Sequence, residues 1–387
     1  MKLVVILSRV PFPVEKGDKL RAYHQLRCLS AYHELHLISL NDTSLHPDAV
    51  FELKKFCKTV HIFDLNPFGL LFNLLWAFVT ERPIQIGYFH RFGVKKKIKH
   101  LIEEIQPDHL YCQLSRTAEY GRDIPISKTI DYQDVFSIGL KRRLNDLPFW
   151  GRPFFRMEYE RMIIYEETIF HLFNHQTIIS KADRELLPFP DKDKVVLIPN
   201  GVDFNFFAPD KDVEKRYDLV FTGNMSYPPN IIAVEFLAKK ILPLIWERRP
   251  ATNLLIAGTT PHSRVRLLSE SRILVTGWLK DIRPAYSASR IFIAPMQIGT
   301  GLQNKLLEAM AMQLPCITST LANESLQAKA DAEILIADTA SAYAQHILSL
   351  LNNEKMAEKL ALNGAHFVKS HYNWEVATEL LSRLFEE

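Results

Sequence analysis

Short apolar runs alternate along the whole chain with longer stretches in which apolar residues recur at helical spacing. In the first half these runs predict strands over 3–7, 34–40, 59–63, 109–112, 128–131, 176–179 and 195–198. The first of them, LVVIL, is a five-residue apolar run that ends in charge and proline and reads as a first strand. Helices are predicted between the strands, the longest over 152–173, where aromatic and charged residues share helical spacing and mark an amphipathic helix lying across a domain face. The second half repeats the alternation, with strands predicted over 218–222, 253–257, 273–276, 291–294, 316–318 and 333–336, and final helices over 339–352, 354–369 and 374–385. The pattern predicts an α/β fold of parallel sheets wound by helices.

The periodicity stops over 199–216, "PNGVDFNFFAPDKDVEKR", where Pro, Gly, Asn and charge take over. Two wound domains are therefore expected, 1–200 and 201–370, with 371–387 as a last helix packing back toward the first. Tandem domains of this kind are expected to enclose a cleft, and wound sheets bind ligands at the carboxyl ends of their strands. The length of 387 residues agrees with two domains at ~150 residues each. With 47% hydrophobic and 24% charged residues the chain reads as an ordinary soluble globular protein, and a net charge of +3 is too small to point to nucleic acid. The 4 cysteines are scattered with no CxxC pair, which fits a reduced cytoplasmic protein better than a disulfide or zinc framework. The N-terminus reads as a strand and not as a signal peptide, and the longest apolar stretch, 68–79, falls short of the ~18 to 20 residues that span a bilayer.

One stretch carries chemistry. "GTGLQNKLLEAMAM", from Gly299 to Met312, follows the apolar run 290–295 and reads as a strand, a glycine-flanked turn and a helix. A helix that only filled a core would need neither Gly299 nor Gly301. Glycines ahead of a helix let a ligand approach the backbone N–H groups, and a helix N-terminus carries about half a positive charge, so the natural guest is a phosphate. No GxxxxGK[ST] is present, and the GxGxxG that Gly299 and Gly301 begin ends in Asn304, so neither a P-loop nor a dinucleotide fingerprint fits. The Asp-Lys-Asp triplets at 191–193 and 210–212 sit in polar loops and read as solvated charge; with no HExxH or histidine cluster, no metal is expected. Lys305 and Glu308 share a helix face. Lys305 lies in the first turn, where its charge adds to the dipole, and the Glu308 carboxylate can accept hydrogen bonds from vicinal hydroxyls such as those of a ribose. Phosphate plus ribose means a nucleotide.

At these residues, and in "SRVPFPVEKGDKLRAYHQLRCLS", "IPNGVDFNFFAP", "FTGNMSYPPNIIAVEFLAKKILPLI", "LLIAGTTP" and the block from "VTGWLKD" to "PCITS", the sequence resembles the retaining glycosyltransferases of family 4. That resemblance implies a GT-B fold of two facing Rossmann-like domains, and a hexosyltransferase using a UDP- or GDP-sugar as donor substrate with no further cofactor. In the family a Glu-x7-Glu pair marks the donor site, the second glutamate binding ribose. Glu308 matches the second, and Thr300 stands at the first. Leu302, Gly299 and Gly301 belong to the same turn. Gly277, Trp278, Leu279 and Lys280 resemble the family's base-binding loop, Gly223 and Asn224 the loop near the diphosphate, and Gly17 the glycine that reaches the donor from the first domain, although a simple turn glycine would read the same. The basic pair common near Asn224 in the family is absent, which leaves Lys305 and Arg21 to supply positive charge.

The implied reaction moves a sugar to a hydroxyl acceptor, as in bacterial polysaccharide or glycolipid assembly, with the acceptor a candidate lipid-linked glycan. Asp131 and Asp134, at the end of a first-domain strand, are acceptor-side candidates, or turn caps. A sugar-nucleotide epimerase of the same fold and a non-catalytic nucleotide-sugar binder remain as alternatives. Aromatic residues in 68–79 beside the lysines of "YFHRFGVKKKIKH", among them Lys95, Lys96, Lys97 and Lys99, suit the surface of an anionic membrane, or else a core helix beside a solvated one.

Overall fold

In the computed structural model of the protein the described residues are 1–14, 16–65, 69–210, 212–299 and 301–387, with residues 145 and 146 described by their backbone alone. They form two compact units, Met1–Pro199 together with Trp374–Glu387, and Asn200–Asn373. Every strand expected from the sequence is present, with ends that differ by no more than two residues.

In the first unit, β1 (Lys2–Leu7), β2 (Glu34–Asn41), β3 (Thr59–Asp64), β4 (His109–Gln113), β5 (Ser127–Asp131), β6 (His175–Ile178) and β7 (Val196–Leu197) form a sheet in the order β3-β2-β1-β4-β5-β6-β7. All of its described pairs are parallel, with Val5 of β1 opposite Leu37 on one side and Tyr111 on the other. The apolar run of β1 is explained by this central place. Leu3, Val5 and Leu7 enter a core on one face of the sheet, and Val4 and Ile6 enter a second core on the other. After β3 the chain returns to β4 on the far side of β1, so the direction of winding switches between β1 and β4.

Helix α1 (Gly17–Leu29) covers the Leu3 face, and the C-terminal helix Trp374–Glu386 packs against it. The Trp374 ring stacks on His24 with centroids 5.1 Å apart, Phe385 lies 4.8 Å from His109, and Ser382 Oγ is 2.7 Å from His33 Nε2. Leu381 and Phe385 thus complete a core that the rest of the unit leaves open. On the other face, α2 (Leu70–Val79), α3 (Phe92–Ile105) and α4 (Arg152–Leu172) follow one another, α4 being the long amphipathic helix the sequence predicts. Phe68, with which the apolar stretch 68–79 begins, lies outside the described residues. Among the described residues no helix is long and apolar enough to cross a membrane.

The second unit repeats the plan. Its strands are β8 (Tyr217–Thr222), β9 (Leu254–Ala257), β10 (Ile273–Val275), β11 (Ser289–Ala294), β12 (Cys316–Thr318) and β13 (Leu335–Ile336), in the parallel order β10-β9-β8-β11-β12-β13. Here the winding switches between β8 and β11. Helix α5 (Pro228–Phe236) follows β8, and α6 (Asn304–Ala311) follows β11. The cysteines Cys28, Cys57, Cys112 and Cys316 are all buried and free.

Trp374 is 1% exposed, and the first unit's core depends on the helix it begins. Trp374→Ala is expected to cost about 3 to 5 kcal/mol, the usual range for emptying a large aromatic site. Urea unfolding checks it: a loss under about 1 kcal/mol would mean that the C-terminal helix is not integral to the unit.

Candidate functional site

Ligands of wound sheets sit outside the carboxyl ends of the strands where the winding switches, because the loops there diverge and leave a crevice. At the β8/β11 switch those loops are rich in glycine. The Gly223 N–H donates to Ala257 O at 3.1 Å and the Gly258 N–H to Gly277 O at 3.2 Å, which ties the exits of β8, β9 and β10 together. A Cβ on Gly258 would fall 1.7 Å from the Gly223 carbonyl oxygen, so these loops can approach only with glycine there. Beyond β11 the chain turns at Gly299, whose φ of 94° lies in the left-handed region. Thr300 lies outside the described residues. Gly301 has nothing within 4 Å of the position its Cβ would take, and Leu302 is half-buried.

This turn delivers α6. The Leu306 N–H of its first turn donates back to Gln303 O at 2.9 Å, and Lys305 and Glu308 project from one face. Both side chains are half-buried. The Lys305 ammonium lies 4.7 Å from the centroid of the Phe221 ring and 3.9 Å from Met296 Sδ. It donates to Asn230 Oδ1 on α5, and Asn230 Nδ2 in turn donates to the Asn224 carbonyl at 2.9 Å. Burial against these apolar groups pushes the Lys305 pKa down to about 7, with Glu308 opposing the shift. Burial likewise pushes the Glu308 carboxyl up to about 7, against the pull of the Tyr286 hydrogen bond and the Lys305 charge. Tyr286 donates to Glu308 Oε2 at 2.7 Å, and its own oxygen lies 2.8 Å from Thr222 Oγ1 at the end of β8. Glu308 Oε1 has no hydrogen-bond partner among the described residues. The arrangement offers an ammonium for an anion and an oriented carboxylate for donors, side by side at the switch crevice.

The structure thus brings Lys305, Glu308, Gly223 and Asn224 together through Asn230 and Tyr286, neither of which sequence reasoning singled out. Asn230 sits in an ordinary Pro-Pro-Asn helix start, and Tyr286 reads as one more core aromatic. Gly277 joins them through Gly258. Beside it Trp278 is 64% exposed, Leu279 half-buried and Lys280 exposed.

In the first unit Gly17 opens α1 and is exposed, with open space where a Cβ would sit. Arg21 and Asp131 require a correction. Read as a cation and an acceptor-side carboxylate facing ligands, they are both fully buried and bonded to each other. Arg21 Nε donates to Asp131 Oδ2 at 2.7 Å and Nη2 to Oδ1 at 3.2 Å. Tyr111 Oη and Thr177 Oγ1 also donate to Asp131, at 3.1 and 2.9 Å. The carboxylate is saturated by four donors, and the pair locks α1 to the sheet. Asp134, by contrast, is exposed, and its Oδ1 accepts from the Val135 N–H at 2.8 Å.

Two parallel wound sheets of this kind, joined in one chain, define the GT-B fold of glycosyltransferases, and the structure matches sucrose-phosphate synthase from Thermosynechococcus elongatus with a TM-score of 0.72 over 100% of this chain and 98% of that one, at 16% identity. Residues 216–353 match the family Glycosyl transferases group 1, and the chain is a glycosyltransferase. It is similar over its full length, at 22% identity and 99% of the other chain, to an uncharacterised 44.6 kDa protein in the cps region of Klebsiella pneumoniae. It is also 30% identical over 153 residues, 34% of this chain and 38% of the other, to the Escherichia coli UDP-Gal:alpha-D-GlcNAc-diphosphoundecaprenol alpha-1,3-galactosyltransferase.

Removing one partner of a buried ion pair leaves the other charge uncompensated, which costs about 3 to 5 kcal/mol. Asp131→Ala is therefore expected to lose that much stability, and the double variant Arg21→Met/Asp131→Leu to recover most of it. Chemical denaturation of the three proteins tests this: an Asp131→Ala chain as stable as wild type would show that the carboxylate is not structural.

Proposed function

We propose that this glycosyltransferase acts with retention, moving a hexose from a UDP- or GDP-sugar to the hydroxyl of a glycan acceptor in polysaccharide or glycolipid assembly. The observation that carries the reading is the Lys305–Glu308 face of α6 at the β8/β11 switch. In this reading the donor diphosphate lies at the start of α6 beside Lys305, and its negative charge draws the proton back onto the desolvated ammonium. Departure of the diphosphate builds charge on its oxygens, and Lys305 with the helix N-terminus stabilises it. Tyr286 fixes Glu308 through Oε2 and leaves Oε1 for the ribose hydroxyls. Gly299, Gly301 and Leu302 line the donor, Gly223 and Asn224 flank the diphosphate, and Gly277, Trp278 and Leu279 meet the nucleobase. On the acceptor side Asp134 takes the place first given to Asp131, since it is the one that reaches solvent. The E. coli relative is named for a UDP-sugar donor and a diphosphate-linked lipid acceptor, which favours a UDP-sugar and a lipid-linked glycan here as well.

Glu308→Ala and Glu308→Gln are expected to weaken nucleotide diphosphate binding by about 2 to 4 kcal/mol, the loss of charge-assisted hydrogen bonds. Lys305→Ala should lower turnover about a hundredfold or more while changing ground-state affinity less. Calorimetry with UDP and GDP, and transfer assays over a panel of nucleotide sugars and lipid-diphosphate acceptors, read both. Unchanged binding in both Glu308 variants would sink the donor assignment.

A lipid-linked acceptor places the enzyme in the cytoplasm at the inner face of the membrane, and α2 supports this. Of its residues only Asn73 and Ala77 are buried, while Leu71 is 81% and Val79 70% exposed, with Phe72, Leu75 and Phe78 also outward. Phe92 at the start of α3 meets the Phe72 and Trp76 rings, at 6.1 and 5.3 Å, so the apolar surface runs on to the helix that carries exposed Lys96, Lys97 and Lys99. Lys95 is held by Asp123 at 2.6 Å and contributes less. Anionic lipid attracts such lysines at about 1 kcal/mol each. Sedimentation with vesicles is expected to require anionic lipid, weaken with salt, and fall when Lys96, Lys97 and Lys99 become Gln. Equal binding to neutral vesicles, or none at low salt, would remove the membrane.

A further inference from the structure

The first sheet has a switch crevice too, between β1 and β4, and an arginine stands just past each of those strand ends: Arg9 after β1 and Arg116 after β4. They are differently held. Arg9 donates to Asp18 at 3.1 Å and lies 3.5 Å from Asp42. Arg116 has no carboxylate or hydrogen-bond partner among the described residues, and its Nε is buried without one. Two rings hold it instead. Its guanidinium lies 4.8 Å from the Phe89 centroid and 4.9 Å from that of Phe136, and Arg9 lies 5.8 Å from the same Phe89 ring. Aromatic faces orient a guanidinium without neutralising it, so the charge stays available.

The backbone is built to present this side chain. Leu114, where the chain leaves β4, has φ of 66°, a left-handed conformation that costs an ordinary L-residue energy and persists only where the surroundings enforce it. They do so here: the Leu114 N–H donates to Asp131 O at 2.8 Å, and Thr117 Oγ1 donates to Gln113 O at 2.9 Å and Leu114 O at 3.0 Å. The carboxylates whose charge Arg116 feels are Asp18, Asp42 and Asp134, of which the first two are engaged by Arg9. Burial and the like charge of Arg9 both work against the charged form of Arg116, a penalty that a bound anion between the two guanidinium groups would relieve.

We infer that Arg116, with Arg9 behind it, forms a phosphoryl-binding site at the β1/β4 switch of the first unit. Arginine's planar fork matches phosphate oxygens in pairs, which favours a phosphate or diphosphate over a point-like anion. Identifying that group as the phosphoryl portion of the acceptor rests on the proposed function; the location of the site does not. Free inorganic phosphate or diphosphate is the other source of the same chemistry.

The test is calorimetric titration of the full-length chain with inorganic pyrophosphate, alone and with UDP or GDP at saturation. Pyrophosphate is expected to bind the nucleotide-saturated protein, about tenfold more weakly in Arg116→Gln and about threefold more weakly in Arg116→Lys, which keeps the charge but not the fork. Thermal melting checks that each variant is folded, and the lysine variant carries the comparison if the glutamine one is not. If nucleotide excludes pyrophosphate and Arg116→Gln leaves its affinity unchanged, pyrophosphate is reading the nucleotide site and the proposal falls. Pyrophosphate and UDP affinities that are the same in wild type and folded Arg116 variants overturn it. A chain that binds no nucleotide but still loses pyrophosphate binding with Arg116 refutes the donor-site reading and keeps this one.

Discussion

Parallel strand pairing constrains everything else in this protein. A parallel sheet needs crossover helices on both faces, so both faces are occupied and neither is free for a ligand. The carboxyl edge at the winding switch is what remains. In the first sheet that edge lies between β1 and β4, in the second between β8 and β11. The residues that distinguish this chain from a generic wound fold gather at these two edges: glycines 223, 258 and 299 with Lys305 and Glu308 at one, Arg9, Leu114 and Arg116 at the other.

The energetics of buried charge separate structural groups from candidate functional ones. Arg21 and Asp131 are wholly removed from water and satisfied by each other, with Tyr111 and Thr177 filling the remaining lone pairs of the carboxylate. Such a pair has nothing left to offer a ligand, and breaking it is costly. Lys305 and Glu308 are desolvated enough to disfavour their charged forms, yet among the described residues they hydrogen-bond only neutral side chains, Asn230 and Met296 for the lysine and Tyr286 for the glutamate. A fold that needed only stability would have paired them or replaced them with apolar residues. An incompletely satisfied pair at the carboxyl edge of the sheet is a candidate for an outside partner.

Local periodicity made the strands and the long amphipathic α4 readable in the sequence, because burial on both faces leaves a continuous apolar run and burial on one leaves a helical stripe. The glycine-flanked start of α6 was readable for the same local reason, since Gly299, Gly301, Lys305 and Glu308 are neighbours in the chain. What could not be read was set by distant partners. Arg21 finds Asp131 across 110 positions, and only the folded β5 shows that the aspartate points inward. Tyr286 and Asn230 acquire meaning only when β8 and β11 lie side by side. Arg116 sits in an unremarked "LSRTAEY", and its seat between the Phe89 and Phe136 rings is a property of the folded neighbourhood.

The exposure of α2 follows from packing and not from lack of a core. Its contact with the helix Ile84–Phe89 is made through small groups: a Cβ on Gly87 would fall 2.6 Å from Ala77 Cβ and 2.8 Å from Asn73 O. So close an approach buries the narrow Asn73–Ala77 side of α2 and turns its bulk outward. The Phe78 ring is covered only in part, by the Arg161 guanidinium 4.9 Å away, and Trp76 stacks on His90 at 4.4 Å instead of entering a core. A helix that is apolar nearly all round and buries its smallest residues is the reverse of the usual surface helix, whose apolar stripe faces inward. The glycine that sets the approach therefore also sets the exposure, and a larger residue at position 87 would have to push α2 away from its present seat.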